Sequence, residues 1–320
     1  MYISNFKTED RNIKKRVGRR AYFAILIAMS ACAMLMLTQF LLSNIFAPIF
    51  KSGIDKSTSI IFEMIIYVAS FVFSFVVAHI IFKTFFKNES PYQAKRYLPQ
   101  NPILYIFGSI GVGYVCNLFV QLLFNNFSET YSVEIAMPVD TPLSIFLYYI
   151  SIALLPAIFE EYAFRHVLLT NLLPFGKWGA IICSSILFGI VHIDPPRVIF
   201  ATIFGLCLAV CREYTGSLIV PMIIHFINNA ISVTITIAPI GSSIHTNVAL
   251  SIYVFMFCGI AMLIYYPRKG LNNKKISLIK SKNYGYRLSF PKFFLKFLFN
   301  FGLIPLGLVY YLFFYLYFLA

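Results

Sequence analysis

Residues 142–173 read PLSIFLYYISIALLPAIFEEYAFRHVLLTNLL, an almost unbroken aliphatic and aromatic run into which Glu160, Glu161, Arg165 and His166 are set. About 20 apolar residues suffice for a helix to cross a bilayer, so this run reads as a crossing, and one too long to stand upright. An ionisable side chain at bilayer depth costs about 2.5–3.5 kcal/mol, and each therefore needs a partner or a chemical task. Glu161 and Arg165 are four apart and pair along one helix face. Glu160 is rotated by about 100° from Glu161. Arg165 therefore does not neutralise both, and one glutamate is left available.

Comparable apolar runs lie on either side, at 21–46, 58–82, 102–124, 178–194, 197–211, 218–238 and 248–266, with a ninth, aromatic-rich stretch at 297–319. Of the 320 residues, 59% are hydrophobic and only 12% charged, half the roughly 25% that a water-facing surface carries. Mean hydropathy is +0.79. Composition excludes a soluble domain, a disordered chain and a disulfide-stapled secreted module. It predicts an all-α polytopic membrane protein, with eight transmembrane helices around an intramembrane polar pocket. The ninth stretch either crosses once more or lies along the interface.

The first apolar run outlasts the 7–15 residues of a cleavable signal and reads as a retained span. Gly108-Ser-Ile-Gly-Val-Gly113 imitates a nucleotide loop, but it sits inside a span with no strand before it, so close helix packing explains it better. The six cysteines all fall in apolar segments without a CxxC pair, which implies packing rather than disulfides or a zinc knuckle.

The formal net charge of +14 comes from cations in blocks between spans, a pattern of leaflet anchoring rather than nucleic-acid binding. Residues 1–20 form a basic tail with Lys7, Arg11, Lys14, Lys15, Arg16, Arg19 and Arg20, which predicts a cytoplasmic N-terminus. Three peripheral helices follow within 21–140, a polar-bearing core at 141–238, an eighth helix at 239–266 and a basic cytoplasmic linker at 267–296. The C-terminal hydrophobic segment occupies 297–320.

Two further constellations accompany the acidic pair. Phe188 and His192 are four apart in the fifth run, and His225 and Asn229 are four apart in the seventh, so each pair shares a helix face. Runs four and five turn near Pro174–Lys177. Glu160 and His192 both lie about 22–24 Å from that turn at 1.5 Å per residue, level in an antiparallel pair. His225 and Asn229 lie about 12–18 Å in, a difference that tilt absorbs. Such a pocket suits amide hydrolysis. A carboxylate in an apolar site is a competent base for water, and two imidazoles with a carboxylate make an open metal site. Asn229 can donate to an oxyanion. A transporter's ion or proton relay explains the same residues nearly as well.

Taken together, EExxxR (Glu160, Glu161, Arg165), FxxxH (Phe188, His192) and HxxxN (His225, Asn229) resemble the CPBP family over about 142–238. That family includes type II CAAX prenyl proteases and bacterial Abi enzymes linked to bacteriocin processing and self-immunity. The resemblance implies an eight-helix intramembrane endopeptidase that cleaves a membrane-associated protein or peptide. By carry-over, Glu160 with His192 activates water, while His225 and Asn229 hold the metal or the oxyanion. Glu161 with Arg165 forms the supporting ion pair, and Phe188 shapes the pocket. A divalent metal, zinc first, would sit on Glu160, His192 and His225, although the HExxH of ordinary zinc proteases is absent. The alternative is a non-proteolytic transporter or bacteriocin-immunity protein using the same cluster. A bacterial cell membrane is the expected location, and a prenylated substrate does not follow from the motifs. Glu63 and His79, in the second run, read as interfacial or packing residues.

Overall fold

The computed structural model describes residues 2–51, 53–86, 102–131, 141–268 and 287–318. Among them all regular structure is helical: α1 (Tyr2–Lys51), α2 (Lys56–Phe85), α3 (Pro102–Tyr131), α4 (Pro142–Phe175), α5 (Lys177–Ile190), α6 (Pro195–Thr215), α7 (Ile219–Ile237), α8 (Ser243–Arg268), α9 (Phe290–Leu298) and α10 (Leu303–Phe318). Several boundaries are written in local chemistry. Asp55 accepts from Thr58 N at 3.2 Å to start α2. Thr141 and Ser144 exchange backbone–side-chain bonds at 3.1 Å to start α4, with Pro142 in its first turn. Asp194 caps α6 ahead of Pro195 and Pro196, and Gly216 closes it at φ 65°, a left-handed conformation that glycine adopts without steric cost.

Seven helices are long and apolar enough to cross a membrane, or eight if α9 and α10, bent by 59°, count as one span. This bears out an all-α polytopic membrane protein. The fifth run is shorter than its composition suggests. α5 has 14 residues, about 21 Å at 1.5 Å per residue, short of a hydrocarbon core of about 30 Å. The chain leaves the helix after Ile190, and Ile193 takes φ 64°, a strained state for a β-branched residue. Tyr310 on α10 donates to the Ile193 carbonyl at 2.8 Å and braces that turn. The C-terminal stretch also differs: its first helix begins at Phe290, inside the basic segment, and packs on α1 and α5. Linker residues 269–286 and the connections at 87–101 and 132–140 lie outside the described residues.

α4 is the irregular element. It widens to π geometry at Ile150–Leu154 and again at Tyr162–Leu169, on either side of the two glutamates. Each wide turn adds a residue to the helix and shifts its hydrogen-bond register. Around it the core is built from small and aromatic side chains, among them Ala24 and Ala28 of α1, Phe75 of α2, Phe164 of α4 and Phe188 of α5. Glycines set the closest approaches. A Cβ on Gly111 would collide with the Phe255 carbonyl of α8, and one on Gly189 with Thr202 of α6. The glycine-rich stretch of the third span is therefore a packing surface for α8, as expected.

Candidate active site

Glu160 and Glu161 sit side by side on α4, both buried, and diverge as the helical rotation requires. Glu161 is fully enclosed. Its Oε1 stands 3.1 Å from Arg165 Nη1, an ion-pair contact along the i, i+4 face. Arg165 Nη2 donates to the Gly205 carbonyl of α6 at 3.2 Å, and the guanidinium lies over the Phe188 ring at 4.3 Å. Glu161 and Arg165 thus face each other, and the two helices packed against them supply a carbonyl and an aromatic face.

His225 of α7 reaches between the two glutamates. Its Nδ1 is 3.0 Å from Glu161 Oε1, and its Nε2 is 3.8 Å from Glu160 Oε2. An ionised carboxylate only accepts, so Nδ1 carries the proton donated to Glu161, and Nε2 is the nitrogen turned towards Glu160. Phe188 and Phe204 meet the imidazole edge to face, each with ring centroids 5.9 Å away.

Among the described residues Glu160 has one hydrogen-bond partner, which the sequence reading did not name. Tyr67 of α2 donates its hydroxyl to Glu160 Oε1 at 2.8 Å. Oε2 is buried and makes no hydrogen bond among the described residues; its polar neighbour there is His225 Nε2. One oxygen is therefore pinned and the other is free to work.

His192 sits where α5 gives way to the strained turn. Its Nδ1 bonds to the Phe188 carbonyl at 2.8 Å, and its ring packs edge-on to Phe188 with centroids 5.0 Å apart. A carbonyl cannot donate, so Nδ1 bears the hydrogen and Nε2 presents a lone pair. Asn229 is engaged elsewhere. Its amide donates to the Ile152 carbonyl at 3.1 Å, inside the first π stretch, and its oxygen accepts from Asn228. Glu63 is exposed on α2, and the His79 and His166 rings stack on each other 6.3 Å apart.

The free donor atoms, Glu160 Oε2 and the Nε2 atoms of His192 and His225, are the chemical types of a two-histidine, one-carboxylate zinc set. Glu160 and His225 already face each other. Among the described residues, however, no three His, Cys, Asp or Glu side chains are gathered as a metal site, so His192 does not complete the set in this arrangement.

Fold and site together define a polytopic α-helical membrane protein with a glutamate–histidine–arginine cluster buried among its helices. Residues 142–231 match the family model described as "Rce1-like: Type II CAAX prenyl endopeptidase Rce1-like", a likeness of that stretch to the CPBP/CAAX proteases. No curated protein and no solved structure matches the chain. The matched stretch carries every motif residue from Glu160 to Asn229. Tyr67 and Tyr310 lie outside it. The family supports an endopeptidase acting on protein within the membrane.

Proposed function

We propose that this protein is an intramembrane endopeptidase in which Glu160 deprotonates a water for attack on a peptide carbonyl of a membrane-associated protein or peptide. One observation carries the reading. Glu160 Oε2 is buried, free of hydrogen bonds and 3.8 Å from His225 Nε2, a gap of the kind that a bridging water spans. Glu160 takes the water's proton. Glu160 passes that proton to His225 Nε2, 3.8 Å away; the imidazolium, oriented through Nδ1 and stabilised by Glu161, then delivers it to the leaving amine as the C–N bond breaks, the role a buried carboxylate plays behind a catalytic histidine. Arg165 pairs with Glu161, and Phe188 packs against the two imidazoles and the guanidinium. Asn229 serves the oxyanion once its amide exchanges the Ile152 carbonyl for the substrate. A divalent metal on Glu160, His192 and His225 would need His192 to join the other two, which it does not do in this arrangement, so no step is routed through one. The basic tail puts the N-terminus in the cytoplasm.

Glu160→Gln should lower cleavage about 10²–10⁴-fold, with unchanged thermal unfolding in detergent. Membrane protein extracts incubated with the purified enzyme, with products read by mass spectrometry, provide the assay. Wild-type cleavage by the variant would end the proposal. Uptake or protection that persists without a peptide product would favour the transporter reading.

A further inference from the structure

We propose that α1 and α2 form a binding site for one anionic phospholipid, with an acyl chain in the groove between them and the phosphate at Arg19. The groove has a volume of about 360 Å³ and is lined by Phe23, Ile27, Ala31 and Met34 of α1 and by Val77 and Phe85 of α2, with Ser30 as its polar residue. Phe23 and Phe85, 49% and 69% exposed, stand at its mouth. From Phe23 to Met34 the groove follows eleven residues, about 16 Å of helix. That is one leaflet of a hydrocarbon core about 30 Å thick. An apolar slot of that length suits a hydrocarbon chain.

Charge decides the headgroup. Arg19 precedes Phe23 by four residues and Arg16 precedes it by seven, so both continue the α1 stripe that lines the groove. Both are exposed, and neither engages an acidic group among the described residues. Cations at the mouth of an apolar slot one leaflet deep select a lipid with net negative charge over a zwitterionic one.

The test uses the full chain, delipidated in detergent and titrated with dioleoyl phosphatidylglycerol or dioleoyl phosphatidylcholine under native mass spectrometry. One phosphatidylglycerol should be retained per chain in preference to phosphatidylcholine. Arg19→Gln should weaken that affinity about fivefold, the worth of one cation near a membrane surface. Ser30→Phe, at an exposed position inside the groove, should abolish retention while thermal unfolding without lipid stays unchanged. Equal retention of the two lipids, retention of neither, or wild-type retention by both variants would overturn the proposal. None of these readouts depends on peptide cleavage.

Discussion

Arg165 shows how tightly the site is balanced at the level of single side chains. Its charge is enclosed, paired with Glu161, bonded to a carbonyl and laid on an aromatic ring. Arg165→Met would leave Glu161 as an uncompensated buried charge, a loss of about 3–5 kcal/mol. It should appear as a clear fall in the unfolding midpoint in detergent. Adding Glu161→Gln should recover much of that stability without recovering activity, because His225 would then lack its ionised partner. Tyr67 behaves differently. Its ring packs on Phe71, with centroids 4.7 Å apart, and Phe can keep that contact. Tyr67→Phe should therefore preserve thermal stability while turnover falls about ten- to a hundredfold, the scale of one hydrogen bond to a charged group at about 1.5–3 kcal/mol. Unchanged turnover would show that the pinned oxygen of Glu160 needs no pin.

At the scale of elements, the turn between α5 and α6 does two jobs. It ends a helix too short to span the bilayer, and it presents His192 one residue before a backbone position that isoleucine occupies under strain. The Tyr310 bond to the Ile193 carbonyl is what α10 contributes to that turn. Tyr310→Phe should cost about 0.5–1.5 kcal/mol. Hydrogen exchange should report the loss locally, as faster exchange of the amides at 190–194 with little change in α7. Equal exchange in variant and wild type would mean that the packing of α5 on α6 holds the turn unaided.

Across the whole molecule, what was readable followed from charge and period. Long uncharged runs marked the crossings because lipid tolerates little else, and the i, i+4 spacing of Glu161 and Arg165 defined their pair before any neighbour was known. The attachment of His225 to both glutamates was not readable. It depends on how far α7 is rotated against α4, which packing of α3, α6 and α8 around α7 determines. Tyr67 left no mark either, since a hydroxyl adds no charge to a hydropathy pattern and its partner is 93 residues away. The early end of α5 was hidden because valine and isoleucine continue the apolar run straight through the strained turn.

The two wide turns of α4 carry a consequence for length change. Each holds a surplus residue inside the rod. Deleting one residue from 150–154 would relax that stretch to ordinary winding and swivel everything from Pro142 to Tyr149 by about 100°, while Glu160 and Glu161 kept their bearings towards α7. The carbonyl that engages Asn229 would return to the helix ladder. Small insertions and deletions in α4 could therefore re-aim its first two turns without turning the acids away from α7.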